Sequence, residues 1–176
     1  MGAHRGMPNG WHGLCAAVRM NTPSPLQDLV TTALNPHFTR IGGEAAVARL
    51  VDAFYRWMDK LPEAAGIRAM HEPDLSQTKA VLRLYLNEWL GGPRRYSAER
   101  GRPALRRKHM PFSIGQAERD AWLLCMVHAL DEVVTDTGLR SELMGAFTRT
   151  ADAIRNDRPH PQSGSPHGGP NPPLVL

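Results

Sequence analysis

The sequence contains few cysteines and no long apolar run, and each scarcity excludes a class of protein. Cys15 and Cys125 are the two cysteines among 176 residues, too few for a disulfide framework or a cysteine-based zinc site. This scarcity favours a reducing, cytoplasmic location. Since no run of about 18 apolar residues occurs, we expect no membrane-spanning helix. The segment GLCAAV near the N-terminus is shorter than the core of a typical signal peptide.

Aromatic residues are also sparse, at 6%, but hydrophobic residues make up 41% and charged residues 22% of the chain. This composition is typical of a globular domain rather than a disordered chain. The length suits one ordinary domain and is short for two. The formal net charge of +4 favours contact with anions but identifies no partner.

Proline, glycine and histidine are concentrated at the two ends of the chain. Residues 1–40 are predicted to be a flexible extension, in which 25–35 could form a short helix, and residues 157–176 a disordered tail. Between them the apolar residues recur at three- and four-residue steps, the pattern of a buried helical face. No segment shows the period-two alternation of a strand. The sequence therefore predicts one all-α domain over 41–156.

Glycine, proline and capping residues predict where several helices begin and end. Asp74 is expected to cap a long helix that the glycines and proline at 91–93 terminate. Residues 94–103 show no period and are predicted to be a loop. A helical turn is predicted over 104–109, and a long helix over 116–134.

The eight histidines include the main candidate for a metal ligand. No two of them lie at the i, i+3 or i, i+4 spacing within a helix, and Cys125 with His128 lacks a further partner, so we expect no tetrahedral metal site. A single-histidine site requires a cofactor that brings the other ligands, as the porphyrin of haem does. His109, in LRRKHMPFSIG, is the candidate. From spacing alone, a histidine that ends a basic helical turn is the favoured alternative.

Four segments together resemble the group II truncated haemoglobins, over about residues 40–156. They are FYRWM at 54–58, IRAMHEPDL at 67–75, YLNEWLGGPRRYSAERGRPALRRKHMPFSIG at 85–115 and ERDAWLLCM at 118–126. Their order and spacing make this signal more specific than any one motif. The resemblance implies a two-over-two helical sandwich around haem b, with a shortened first helix and glycine pairs at helix junctions. No C-x-x-C-H motif is present, so we expect haem without thioether links.

The resemblance also implies roles for individual residues. His109 falls on the proximal position, where one ring nitrogen binds iron and the other donates to a carbonyl or similar group. Trp122 and Tyr55 fall on distal positions, where an indole N–H and a hydroxyl donate to the gas ligand. His71 falls on a third polar distal position. Thr78 lies near the position of the distal histidine of many longer globins, and its small side chain would leave access open.

Each distal position also has a structural alternative. Trp122 could be a core residue, and Tyr55 a core residue whose hydroxyl donates to a carbonyl. His71 could donate to the ligand, donate to the Tyr55 hydroxyl, or cap a short helix. Leu82 and Tyr85 are expected to wall the distal pocket, a role that is compatible with ordinary core packing.

The basic run over residues 94–108 contains seven cations and one acid, Glu99. Tyr96 and Arg100 resemble residues on the propionate side of the haem, and the arginines could form charge-assisted hydrogen bonds with the two propionates. The alternative is that the run forms a solvated, charged face of the protein.

The resemblance implies a globin that binds dioxygen, nitric oxide or carbon monoxide. Distal donors would slow ligand release, which favours oxygen/nitric oxide or peroxide chemistry, with electrons from an unidentified donor. The alternatives are oxygen storage or sensing without turnover and, remotely, nucleic-acid binding through residues 94–108, where Tyr96 is the one aromatic residue available for base stacking. We expect a monomer or homodimer.

Overall fold

A computed structural model describes residues 35–157, and its regular elements are all helical. Eight α-helices follow one another, and a 3-10 turn, Pro62–Ala64, precedes the third of them. They are α1 (His37–Ile41), α2 (Gly43–Lys60), α3 (Ala65–Ala69), α4 (Ser76–Trp89), α5 (Arg95–Arg100), α6 (Leu105–His109), α7 (Gln116–Val133) and α8 (Thr137–Ile154). The prediction of an all-α fold is confirmed. None of these helices is both long and apolar enough to cross a bilayer.

The four long helices form two layers. Helix α2 packs against α4 in one layer, α7 packs against α8 in the other, and α2 lies on α7 between the layers. The predicted apolar face of α2 is buried at this junction, and it comprises Val47, Leu50, Val51, Phe54 and Met58. Burying each of these side chains contributes about 1.5–3 kcal/mol to folding. The arrangement is the two-over-two sandwich that the resemblance implied.

The first described residues are tied to the end of α4. The Phe38 N–H donates to the Leu90 carbonyl at 2.8 Å, and Asn35 Nδ2 donates to the Trp89 carbonyl at 2.8 Å. These contacts precede residue 41, where we predicted that the domain begins. The rest of the predicted extension, including 25–34 of the predicted short helix, and the predicted tail beyond Asp157 lie outside the described residues.

Residues 95–100 form helix α5, so the prediction of a loop over this segment was wrong. Tertiary contacts fix the helix: the Tyr96 side chain is buried, and the Ser97 N–H donates to Glu88 Oε2 at 2.8 Å. Six residues make fewer than two turns. Because only one of its residues is buried, this short helix has no periodic pattern of apolar residues that could predict it.

Two other helix boundaries differ from the prediction by a residue or two. Helix α4 begins at Ser76 rather than beside Asp74, yet Asp74 Oδ1 accepts hydrogen bonds from the Ser76 N–H at 2.9 Å and from Ser76 Oγ at 2.6 Å. Helix α7 ends at Val133, one residue before the predicted end. The predicted helical turn before Pro111 is present as α6.

Two glycines allow the chain to turn at the end of α4. Gly91 has a φ of 98°, in the left-handed region, and a Cβ there would lie 2.0 Å from the Asn35 carbonyl oxygen. A Cβ on Gly92 would lie 2.7 Å from the Phe38 ring. The first described helix can therefore approach the end of α4 because these two side chains are absent.

We expect Gly91→Ala to lower the free energy of unfolding by more than about 2 kcal/mol, since it combines a left-handed backbone with a backbone clash. The matched control is Gly66→Ala in α3, where a Cβ would meet nothing within 4 Å. That change should raise the free energy of unfolding by about 0.4–1 kcal/mol. Chemical denaturation measures both values, and equal effects in the two variants would contradict this role of Gly91.

Candidate functional site

A pocket between the two helical layers brings together four of the predicted site residues: Tyr55, His71, His109 and Trp122. The remaining lining is mostly apolar. Cofactor and ligand sites typically have apolar walls with a few placed polar groups. The pocket therefore has the kind of lining found at a cofactor site.

His109 is the last residue of α6, and its side chain is buried. Its Nδ1 lies 2.7 Å from the Leu105 carbonyl oxygen. Because a carbonyl can only accept, Nδ1 carries the proton and Nε2 keeps its lone pair. Burial lowers the pKa of His109, and the charge on Lys108 lowers it further, so the ring is neutral at pH 7. A neutral imidazole held in this way is the form in which histidine binds a metal.

Asn156 holds the turn that follows His109. Its Nδ2 donates to the carbonyls of His109 at 3.2 Å and Phe112 at 2.7 Å. Its Oδ1 accepts from the Ile114 N–H at 2.9 Å, and its own N–H donates to the Ile114 carbonyl at 3.0 Å. Asn156 therefore positions the backbone that carries His109. Sequence reasoning missed it because Asn156 lies 47 residues from His109 and belongs to no local motif.

Two donors in the pocket, on Tyr55 and Trp122, make no hydrogen bond within the described residues. The Tyr55 hydroxyl is buried and unpaired, and burial raises its pKa, so it keeps its proton. The Trp122 ring is half-buried beside Phe54 and Phe147, at centroid distances of 5.2 Å and 5.8 Å. A buried polar group without a partner costs about 1–3 kcal/mol. The Tyr55 hydroxyl therefore suits a site where a ligand supplies the acceptor.

His71 lies directly beyond α3, with its ring centroid 5.6 Å from that of Tyr55. Its Nδ1 lies 2.8 Å from the Ile67 carbonyl oxygen, so Nε2 keeps the lone pair. Burial lowers the pKa of His71, as do charges on Arg68 and His109. In its neutral form His71 therefore presents an acceptor to the pocket, because the carbonyl of Ile67 fixes the tautomer. The bond to Ile67, a residue of α3, agrees with the predicted alternative in which His71 caps a short helix.

Three further predicted residues lie on α4. Thr78 and Leu82 are buried and do not line the pocket. Tyr85 lines an adjoining hollow, which shares Thr150 and Ile154 with the pocket. Burial raises the pKa of Tyr85 to about 12, so its hydroxyl is a neutral donor. These three residues keep their predicted distal roles as proposals.

The two residues predicted for the propionate side differ in their surroundings. Tyr96 is buried 5.5 Å from the Tyr85 ring, and its hydroxyl accepts from Lys108 Nζ at 2.7 Å. Arg100 is exposed on α5 and lines neither the pocket nor the adjoining hollow. The structure therefore brings Tyr96 close to the basic turn of His109, while Arg100 lies at the surface.

Two charged residues of the pocket, Glu118 and Arg119, were not predicted. Glu118 Oε2 accepts from the Gly115 N–H at 2.8 Å, and Arg119 pairs with Asp152 at 3.3 Å. Both precede Trp122 by one helical turn, at the i−4 and i−3 positions, which lie on the same helix face. That spacing in ERDAWLLCM was the signal that could have identified them.

The pocket fits haem on the chemistry of its donors. The described residues contain no group of three or more His, Cys, Asp or Glu that could hold a metal ion. A metal here would therefore have to bring most of its own ligands, as haem iron does. His109 Nε2 could supply one axial bond, and the unpaired Tyr55 hydroxyl and Trp122 N–H could donate to a second ligand.

Comparisons with known proteins agree on one family. The sequence model of the family described as "Bacterial-like globin" matches residues 37–156. The group 2 truncated hemoglobin YjbI of Bacillus subtilis is 37% identical over 114 residues, which are 65% of this chain and 84% of that protein.

Solved structures give the same result. The group II 2-on-2 hemoglobin of Agrobacterium tumefaciens is 44% identical, with a TM-score of 0.66 over 68% of this chain and 93% of its own. The cold-adapted truncated hemoglobin of Pseudoalteromonas haloplanktis is 35% identical, with a TM-score of 0.68 over 69% of this chain and 98% of its own. The chain therefore belongs to the bacterial-like globins, within the group II truncated haemoglobins, and its cofactor is haem b.

Proposed function

We propose that this chain binds dioxygen at a haem iron held by His109, and that it retains the gas for reaction with nitric oxide or for peroxide chemistry. As a member of the globin family it is an oxygen-binding haem protein. One observation carries the finer proposal: a single pocket is lined by the His109 imidazole, whose Nδ1 bonds a carbonyl, by the buried and unpaired Tyr55 hydroxyl, and by Trp122. Nitric oxide and carbon monoxide would bind at the same place.

On the proximal side of the proposed site, the Leu105 carbonyl and the side-chain amide of Asn156 hold His109 and the turn that follows it. Bound haem supplies the iron that binds the gas and exchanges electrons. Leu105 orients the His109 ring through its carbonyl at 2.7 Å, and this bond keeps Nε2 unprotonated for the metal. Asn156 holds the following turn, so the imidazole stands on a fixed backbone.

The distal side supplies hydrogen bonds to the gas ligand. The Tyr55 hydroxyl and the Trp122 N–H each donate to a partially charged acceptor, which contributes about 1.5–3 kcal/mol. At roughly 1.4 kcal/mol for each factor of ten, each donor slows release by about tenfold to over a hundredfold. Slow release suits retention for reaction better than delivery. Turnover of nitric oxide with a reductant would separate this function from storage or sensing.

We propose that a separate protein of the cytoplasm supplies the electrons for any turnover. Among the described residues, Cys125 is a free, buried thiol. Burial raises its pKa to about 11, so the thiol is unreactive. Nitric oxide consumption in the presence of a cytoplasmic extract fraction would identify the donor.

We expect His109→Ala to lose haem at least about tenfold faster than the unmodified protein, because the bond to iron is removed; even changes behind a ligand cost about 10–100-fold in metal affinity. Transfer of hemin to an acceptor protein measures the rate. Added imidazole should restore the absorption spectrum. His128→Ala is the matched control, since that ring stacks on Trp57 at 4.3 Å outside the pocket. Unchanged spectra and hemin loss in His109→Ala would overturn the proposal.

We expect Trp122→Phe to speed dioxygen release by at least about tenfold, because one hydrogen bond to the ligand is lost. Stopped-flow or flash photolysis measures the rate. Trp57→Phe is the matched control, since the Trp57 N–H already donates to Glu132 at 2.6 Å and lies outside the pocket. Equal release rates in the two variants would remove Trp122 from this role.

We expect Asn156→Ala to speed hemin loss by about tenfold, since outer contacts of a metal-bound histidine typically matter by 10–100-fold. The iron–histidine stretching band in resonance Raman spectra should also shift or broaden, which a purely structural role would not require. Arg155→Ala is the neighbouring control, because that side chain pairs with Asp157 at the surface. An unchanged band in Asn156→Ala would show that Asn156 stabilises the turn without positioning His109.

A further inference from the structure

The segment that precedes His109 carries a large surplus of positive charge. Residues 94–108 hold seven of the 21 lysines and arginines but only one of the 17 acidic residues. With neutral histidines, this segment therefore carries +6, while the rest of the chain carries −2. Two haem propionates would neutralise at most two of these charges. Positive charge therefore remains available to a further partner.

Much of this charge is exposed and has no acidic partner. The first two arginines of the segment lie near acids of α4 and α2, at 3.9 Å and 3.0 Å. Arg100, Arg102 and Arg107 are exposed, and among the described residues they pair with no acid. The rest of the chain contains one acidic side chain, Asp28. Contacts within the chain therefore cannot balance these three arginines.

Two further arginines extend this charge to the edge of the site. Arg106 and Arg149 line the hollow that adjoins the pocket. Arg106 Nη1 donates to two backbone carbonyls at the end of α8, at 3.2 Å and 3.3 Å, and Arg149 is exposed. Neither pairs with an acid in the part of the chain that the structure describes. We call Arg100, Arg102, Arg106, Arg107 and Arg149 the basic surface.

The composition of the basic surface is typical of a protein interface. All five cations are arginines, which bind carboxylates through two parallel hydrogen bonds. The one lysine of the segment, Lys108, donates internally to the Tyr96 hydroxyl at 2.7 Å. Next to His109, Met110 is the one large apolar side chain that is exposed among the described residues, at 56%. Arginine and methionine are both enriched in protein–protein interfaces, so an acidic protein surface is the chemical complement.

Nucleic acid is a poorer complement of the basic surface. Single-stranded nucleic acid is bound by cations together with aromatic rings on which its bases stack. Tyr96 is the one aromatic residue of the segment, and its side chain is 1% exposed. It therefore cannot stack on a base, and the arginines favour the carboxylates of a protein.

We propose that the basic surface docks an acidic redox protein, which passes one electron to the haem iron beside it. The proposal rests on the proposed function, because it takes the iron held by His109 as the electron acceptor. In this step the donor loses one electron and the ferric iron gains it, and no bond forms or breaks. Opposite charges raise the rate of such an encounter by about 10–10³-fold. Electron-transfer partners typically use small, weak interfaces, so a surface of this kind is sufficient.

The test measures reduction of the full-length, haem-loaded ferric protein by reduced flavodoxin, an acidic flavoprotein that transfers single electrons. Carbon monoxide traps the ferrous product, and its absorption gives the rate. We expect the second-order rate constant to fall at least about tenfold as the ionic strength rises from about 0.01 to about 0.3 M, because salt screens the attraction. At low salt, the double variant Arg102→Glu with Arg107→Glu should also react at least about tenfold more slowly.

The matched control is the double variant Arg49→Glu with Lys60→Glu. Both side chains are exposed on α2, outside the basic surface, and their reversal changes the net charge by the same amount. Photoreduced lumiflavin, a small neutral donor, reduces each protein without docking on charges. The ratio of the flavodoxin rate to the lumiflavin rate is therefore the measured quantity, since it cancels any change in the haem or its pocket. We expect this ratio to fall in the Arg102/Arg107 variant and to stay within about threefold in the control.

Binding without electron transfer gives an independent measurement. The affinity of the haem-loaded protein for oxidised flavodoxin, measured by calorimetry at low salt, should fall at least about tenfold in the Arg102/Arg107 variant. A duplex DNA oligonucleotide is titrated in parallel. Tighter binding of the duplex than of flavodoxin, lost in the same variant, would assign the basic surface to nucleic acid and overturn the proposal.

Two further results would contradict the proposal. One is an equal rate ratio in the Arg102/Arg107 variant and its control. The other is a flavodoxin rate that does not change with salt. If either occurs while His109→Ala loses haem and Trp122→Phe releases dioxygen faster, this inference alone fails and the proposed function stands.

Discussion

The hydrogen bond between His109 Nδ1 and the Leu105 carbonyl is the contact on which the proposed site depends. It decides which ring nitrogen carries the proton, and thus whether the pocket receives a donor or a lone pair. The bond spans one turn of α6, a helix of five residues. A helix this short is not stable by itself, so Asn156 and the packing of α8 must hold the turn in place. The protonation of one ring nitrogen of His109 therefore depends in part on Asn156, 47 residues further along the chain.

Much of the fold follows from local features of the sequence. The apolar face of α2 has helical spacing and is buried as predicted, and glycines terminate α4 where predicted. The α5 segment could not be predicted, because one buried ring and the contact of Ser97 with Glu88 determine it. Neither leaves a periodic trace. The observed start of α4 differs from the predicted start because the capping side chain, Asp74, does not directly precede the first helical residue, Ser76.

The site was also predictable in part, because local sequence motifs identify some of its residues. Four quoted segments placed Tyr55, His71, His109 and Trp122, and the structure brings these residues to one pocket. The roles of these residues depend on hydrogen-bond partners elsewhere in the fold. A sequence motif does not specify those partners. Arg100 lies at the surface and outside the pocket, and its contact with a propionate stays a prediction. Asn156 carries no charge and matches no motif, yet its contacts are among the most specific in the site.

The position of Asn156 also determines where this domain ends. Helix α8 stops at Ile154, two residues before the amide that holds the His109 turn. A protein shortened to its last helical residue would retain both layers of helices and nearly all of the buried core. It would nevertheless lose the Asn156 hydrogen bonds behind His109, the proposed iron ligand. We therefore expect a side chain in an irregular segment to set the functional limit of the domain, and truncations designed from helix boundaries alone would remove it.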